Sequence, residues 1–344
     1  MTNPINLTRR NALKSMAGLL IAPVLAYPSQ ASVGKNPRTM KFVPVMVTPY
    51  RQDLTIDYEM LRQLTDFYKA AGAEGYFANC LSSEMYYLNN QERIAIPETV
   101  VKRVPQSRVV STGSFGDSLN EQIDFCKRIA DTGISGSILI TSHFATKQES
   151  DSVMMDNLGE FINKTGKIPL GTYECPSPYK RLLTPEVYQT LVRTNRFFYH
   201  KDTSENLEQI TRKIELSQSS KMEFYNAHSA TAVASLQRGG NGLSPISGNF
   251  YPEILAWICK HANNPAKKND LQWIQEEIAQ TEPLISIKYP VGSKYFLKKR
   301  GLPIEIVTRY KNRELTKADT AQLDQVYERF KGWCERLDIK PAKI

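Results

Sequence analysis

Ile168-Pro169-Leu170-Gly171-Thr172-Tyr173 and Phe197-Phe198-Tyr199-His200-Lys201 are two short β-rich runs, and residues 185–193 between them carry apolar side chains at three- and four-residue spacing. Strand, helix, strand in that order makes a unit whose two strands lie parallel in one sheet. The unit recurs in both directions. Upstream, strands are predicted over residues 42–47, 75–79, 108–112 and 136–141; downstream, over 222–226 and 242–246. Helical spacing fills the gaps at 58–71, 90–103, 119–131, 154–164, 206–218 and 230–237, and an eighth helix is expected near 251–261. Eight strand–helix units in sequence predict an α/β fold, a closed (β/α)8 TIM barrel over residues 41–265. Beyond it, 270–281, 293–300 and 317–337 read as helices, with a break at Gly301-Leu302-Pro303. Residues 266–344 are therefore expected as a C-terminal helical extension packed on the barrel, since no Ser/Gly/Pro-rich spacer precedes them.

The chain has 344 residues, 23% charged and 41% apolar, the composition of an ordinary globular protein, and shows no repeat or low-complexity stretch. Its first segment stands apart. Thr8-Arg9-Arg10-Asn11-Ala12-Leu13-Lys14 is followed by the apolar run 16–26 and by Ser29-Gln30-Ala31. Basic region, short apolar region and small residues in that order predict a signal peptide over residues 1–31, and the paired arginines resemble the twin-arginine type that exports folded proteins. The run, interrupted by Pro23, falls short of the ~20 residues that span a bilayer. A periplasmic or otherwise exported protein, with no stable membrane insertion after cleavage, is the expectation.

The net charge of +9 drops to +6 when Arg9, Arg10 and Lys14 are removed with the leader. Much of the remaining excess sits at Lys294, Lys298, Lys299 and Arg300, which read as a solvated helix face. With no zinc-finger spacing, RNA-binding signature or basic zipper, nucleic acid is not an expected partner. The five cysteines are odd in number and widely spaced, which argues against a disulfide framework and a structural zinc site.

In such barrels the chemistry sits on the loops after the strands. Tyr173 closes the fifth predicted strand and Lys201 the sixth. An amine at the end of an apolar strand is desolvated, so its pKa falls and a neutral fraction can attack a ketone. Lys201 reads equally as the start of a helix capped by Asp202-Thr203-Ser204. The loop Cys80-Leu81-Ser82-Ser83-Glu84 follows the second strand, where hydroxyls and backbone N–H groups suit a carboxylate.

Together these segments resemble the dihydrodipicolinate synthase and N-acetylneuraminate lyase family of class I, pyruvate-handling aldolases. Val43 to Tyr50 is similar to that family's first strand, Leu81-Ser82-Ser83-Glu84 stands where it carries Thr-Thr-Gly-Glu or Ser-Thr-Gly-Glu, and Ser111-Thr112-Gly113-Ser114 matches its third strand end. Tyr173-Glu174-Cys175-Pro176 matches its tyrosine-x-x-proline, and His200-Lys201-Asp202 its Schiff-base lysine with the following acid. The resemblance covers roughly residues 41–305 and implies roles. Lys201 becomes the imine-forming nucleophile, Tyr173 the proton shuttle, and Ser82 and Ser83 the carboxylate holders. His143, His228 and Asn249 are expected among the substrate-binding residues, with Tyr86, Tyr87 and Tyr179 as further candidates. No metal and no organic cofactor is called for, because an imine is its own electron sink. Family members are commonly tetramers built from dimers, which implies a homo-oligomer, dimer or tetramer.

Three departures bear on the substrate. Leu81 stands where the family has a relay hydroxyl, Phe144 where it commonly has a second tyrosine, and Pro178 where the synthases use an arginine. His143 reads as a substitute acid or base, or as a loop residue facing solvent. The losses and the leader argue against lysine biosynthesis and for breakdown: retro-aldol cleavage of a sugar-derived 2-oxo acid, a sialic acid or a 2-keto-3-deoxy acid, to pyruvate and an aldehyde. Two alternatives stay open. One is a dehydratase of a deoxy-oxo sugar acid using the same imine. The other, motivated by Leu81 and Phe144, is a catalytically inactive exported binding protein for 2-oxo acids.

Overall fold

The computed structural model describes residues 40–105 and 108–343, so the leader expected over residues 1–31 lies outside the described residues. Strands and helices alternate as β1 (Lys41–Phe42), α1 (Tyr58–Ala70), β2 (Gly75–Asn79), α2 (Asn90–Arg103), β3 (Arg108–Thr112), α3 (Leu119–Ala130), β4 (Gly136–Ile140) and α4 (Asp151–Lys164). They continue as β5 (Leu170–Tyr173), α5 (Pro185–Arg193), β6 (Phe197–Asp202), α6 (Leu207–Ser217), β7 (Glu223–Asn226), α7 (Ala232–Gln237), β8 (Gly242–Leu243) and α8 (Pro252–His261). The sheet runs β1-β8-β7-β6-β5-β4-β3-β2, and the paired strands are parallel. A parallel bridge between Val45 and Phe77 closes the ring between its ends. The expected (β/α)8 barrel is the fold observed.

Both closing strands are shorter than predicted, and proline is the reason. Pro44 and Pro245 have no N–H to donate to a ladder. β1 therefore stops at Phe42 and resumes only as the bridge, where Met46 N–H donates to Phe77 O at 3.0 Å and Phe77 N–H to Pro44 O at 3.0 Å. β8 stops at Leu243 for the same reason.

Alternation along the strands sorts side chains between barrel interior and outer shell. Tyr199 and Tyr225 stack at 4.4 Å inside the barrel, with Phe77 and Tyr173 above them in one buried cluster. Gly171 makes room for this layer, since a Cβ there would lie 2.4 Å from Ile138 Cδ1 and 2.9 Å from Tyr199 Cβ. Tyr199 and Lys201 share the inward face of β6; His200 and Asp202 point outward to α5 and α6. That parity decides which residues can reach a substrate.

The extension consists of α9 (Lys268–Ile285), α10 (Val291–Lys299) and α11 (Lys317–Leu337). Leu323, Val326, Phe330 and Trp333 of α11 pack with Leu271, Ile274 and Ile278 of α9 and with Ile254, Leu255 and Ile258 of α8. Each such fully buried side chain contributes ~1.5–3 kcal/mol. Lys298 and Lys299 lie on the solvated face expected, but Lys294 and Arg300 do not. Lys294 is fully buried against Glu84, and Arg300 lies between the Phe67 and Phe330 rings while pairing with Glu253. Lys298 and Lys299 pair with Glu305 and Asp324. No described helix is long and apolar enough to cross a membrane.

Candidate functional site

The C-terminal ends of the strands and the extension enclose a cleft of about 810 Å³. Lys201, Tyr173, Leu81, Ser82, His228 and Tyr289 are among its lining residues. The Lys201 amine lies 4.4 Å from the centroid of the Tyr173 ring and 5.5 Å from that of Phe77. Register places Tyr173 directly opposite Lys201 across β5 and β6. The lysine is only 3% exposed, and among the described residues its amine has no ion pair. Burial therefore lowers its pKa, with the thiols of Cys80 and Cys175 pulling weakly the other way. The same burial holds the Tyr173 phenol well above its ordinary value, so it stays protonated and able to donate.

Other sequence candidates are placed differently. Ser83 is buried with every polar group engaged: its hydroxyl donates to Met46 O at 2.6 Å and accepts Cys80 N–H at 3.1 Å, while its N–H donates to Cys80 O at 3.0 Å. Asn249 stands one layer behind the cleft wall, its amide bonded to Val45 O, Tyr289 and Tyr68. His143 lines a separate cavity of about 710 Å³, with Nδ1 against Ser114 O at 2.5 Å and Nε2 2.9 Å from Tyr86 Oη. Phe144 packs on Phe161 in the helix shell. His228 reaches the cleft and lies 3.4 Å from Glu282 of α9. Tyr87 is half-exposed, and Tyr179 hydrogen-bonds Ala145 O. Lys180 stands at the cleft mouth paired with Glu205, whereas Arg181 turns away to Asp151.

Two features escaped the sequence reading. Behind Tyr173 and Lys201, the outward Glu174 and Asp202 both bond the ammonium of Lys213 from α6. All three are at most 2% exposed. Asp202 was expected to cap the next helix, but Asn206 caps α6 and accepts Gln209 N–H. Lys213 was legible in principle: it sits on the buried stripe Ile210, Ile214, Ser217, where a lysine needs a partner. Glu174, His200 and Asp202 have the ligand types of a metal site. The Lys213 ammonium, bonded to both carboxylates, takes the place a cation would fill.

The second feature is the clamp on the extension. Glu84, in left-handed conformation at φ 60° and fully buried, pairs with Lys294 at 3.1 Å and accepts from Thr308 Oγ1 at 2.7 Å and Arg309 N–H at 2.8 Å. The loop bearing Ser82 is thus tied to the segment bearing Tyr289 and Tyr310. Glu84→Ala strands Lys294 as an unpaired buried charge, and the expected loss is about 3–5 kcal/mol. Urea unfolding checks this; a midpoint unchanged from that of the parent protein refutes the clamp.

The family model for the dihydrodipicolinate synthetase family matches residues 38–329. The 4-hydroxy-tetrahydrodipicolinate synthase of Pseudoalteromonas atlantica is 25% identical over 260 residues, 75% of this chain and 86% of that protein. That of Oceanobacillus iheyensis is 23% identical over 290 residues, 84% and 97% of the two chains. Among solved structures, a prophage protein of the dihydrodipicolinic acid synthase family from E. coli K12, in complex with pyruvate, superposes with a TM-score of 0.77 at 19% identity, covering 85% of this chain and 98% of its own. The dihydrodipicolinate synthase of Aquifex aeolicus gives 0.75 at 16% identity, with 85% and 98% covered.

Proposed function

The chain belongs to the dihydrodipicolinate synthetase family of class I aldolases, and from that premise we propose that it cleaves a sugar-derived 2-oxo acid through an imine on Lys201. The observation that carries this reading is the buried amine of Lys201 in the cleft, without an acid partner among the described residues and over the Tyr173 ring. The neutral amine adds to the C2 carbonyl while Tyr173 gives a proton to the oxygen. The carbinolamine nitrogen returns a proton to Tyr173, which then passes it to the hydroxyl; that oxygen leaves as water and the protonated imine remains. The C4 hydroxyl then loses its proton, the C3–C4 bond breaks, and its electron pair moves into the imine as an enamine. The aldehyde departs, C3 takes a proton, and water hydrolyses the imine to free pyruvate and the amine.

The cleft supports the substrate class. A volume of about 810 Å³ exceeds what pyruvate needs, and Ser177, His228, Glu282 and Ser286 line it with groups suited to a polyhydroxy chain. Arg313 and Lys180 add positive charge at its wall. That lining supports a sialic acid or a 2-keto-3-deoxy acid as substrate. The pyruvate bound to the E. coli K12 relative supports the same C2–C3 fragment here. The exported, homo-oligomeric state suggested by leader and resemblance is part of this proposal, checked by cell fractionation and light scattering.

Borohydride added with pyruvate is expected to leave a reduced adduct on the peptide carrying Lys201, located by mass. Absence of an adduct with every 2-oxo acid tried rejects the imine. A coupled assay over sialic and 2-keto-3-deoxy acids then reads pyruvate release; turnover without pyruvate points to the dehydratase, and an adduct without any turnover points to the binding protein.

A further inference from the structure

The extension brings a phenol into the cleft whose hydrogen-bond direction is set by its neighbours. Asn249 Nδ2 lies 2.8 Å from Val45 O, an atom that can only accept, so that nitrogen is the amide's donor. The same nitrogen lies 2.8 Å from Tyr289 Oη, and Tyr68 Oη donates to the amide oxygen on the other side. Asn249 therefore donates to Tyr289, and the Tyr289 O–H must point elsewhere. What remains in front of it is the cleft, which Ser82 also lines. Burial keeps this phenol protonated. Ser83, expected to share the work of Ser82, has no group to offer, as its hydroxyl and N–H are spent on Met46 and Cys80. The Ser82 and Tyr289 hydroxyls are two donors lining this cleft.

We propose that Tyr289, from the segment between α9 and α10, is a substrate-binding residue that donates its hydroxyl, together with Ser82, to the carboxylate of the 2-oxo acid held on Lys201. The proposal rests on the imine reading above. It gives the extension a direct part in recognition: the Glu84 clamp onto Lys294, Thr308 and Arg309 holds the segment where its phenol meets the Ser82 loop. Asn249, placed behind Tyr289, is a positioning residue.

The test uses borohydride trapping at graded concentrations of pyruvate and of pyruvamide, its uncharged amide. A hydrogen bond to a charged group corresponds to roughly ten- to a hundredfold in affinity. Tyr289→Phe is expected to raise the half-saturating pyruvate concentration by that factor and that for pyruvamide, a neutral acceptor, by a clearly smaller one, roughly two- to tenfold. Asn249→Asp replaces the donor by an acceptor, draws the Tyr289 O–H away from the cleft, and is expected to give the same pyruvate-selective loss with the tyrosine still present. Unchanged pyruvate dependence in Tyr289→Phe, or an equal loss for both compounds, overturns the proposal while leaving the imine intact. No adduct in the parent protein sinks the imine reading and this proposal with it.

Discussion

Lys201→Ala is expected to lower turnover by roughly four to six orders of magnitude, the scale seen when a covalent nucleophile is removed, and to abolish reductive trapping with pyruvate. Lys213 lies on the outer side of the strands with both Glu174 and Asp202 on its ammonium, and Lys180 at the cleft mouth is paired with Glu205. The Lys201 amine must be neutral to attack, so the trapping rate should rise with pH through its lowered pKa and level off above it. The same shift has a sign in stability. Because the folded pKa is below the unfolded value, the unfolded chain binds the proton more tightly between the two, and stability rises with pH across that window. At neutral pH the buried amine therefore costs stability, and Lys201→Met is expected to raise the melting temperature while losing all trapping. A melting temperature that falls on this substitution contradicts a desolvated, unpaired amine.

The second large effect is on the outer side of the same strands. Lys213→Met is expected to destabilise the protein by about 3–5 kcal/mol, the loss found when one partner leaves a buried ion cluster. Glu174 and Asp202 would face each other without a cation, both fully buried. In the intact cluster, burial raises Glu174 despite the attraction of Lys213. Burial also pushes Asp202 up, but His200 and Lys213 outweigh it and hold Asp202 well below its ordinary range. Lys213 itself is raised: burial opposes the proton, and the two carboxylates more than compensate. A group raised in the fold gives stability that is complete below its unfolded pKa of about 10.4 and is lost above it. At neutral pH the lysine's share is thus fully present. At ~2–4 °C per kcal/mol for a domain of this order, the melting temperature should fall by roughly 10 °C. The loss should also reach catalysis, because Glu174 follows Tyr173 and its N–H donates to Lys201 O at 3.2 Å. A melting temperature within a degree or two of the parent value argues that the cluster carries no net stabilisation.

Much of the barrel was legible because its signals are local. The runs ending in Tyr173 and Lys201 are short, rich in aromatic and apolar residues and separated by a helical stretch, so composition and order show the strands. β2 and β3, α2, α5 and α11 have the bounds their periodicity predicts. The misplaced strand ends have local causes too: Pro44 and Pro245 cut β1 and β8 short.

The site was legible only in part. Lys201, Tyr173 and Ser82 could be chosen from strand ends, since a barrel puts those ends at one mouth whatever the details. Strand parity and chain order thus determined by themselves that an amine and a phenol meet there. Whether a polar side chain near that mouth is free to bind depends on neighbours far off in sequence. Ser83 is occupied by Met46, Asn249 is held behind Tyr289, and His143 opens into another cavity. Tyr289 carries no motif and lies in the helical extension; only the packing of α9 and α10, with Glu84 clamped to Lys294, brings it to the cleft that Ser82 lines. Periodicity encodes which face of its own element a side chain takes, but a hydrogen bond requires two partners placed to within a few tenths of an ångström. That placement exists only once the chain has closed on itself.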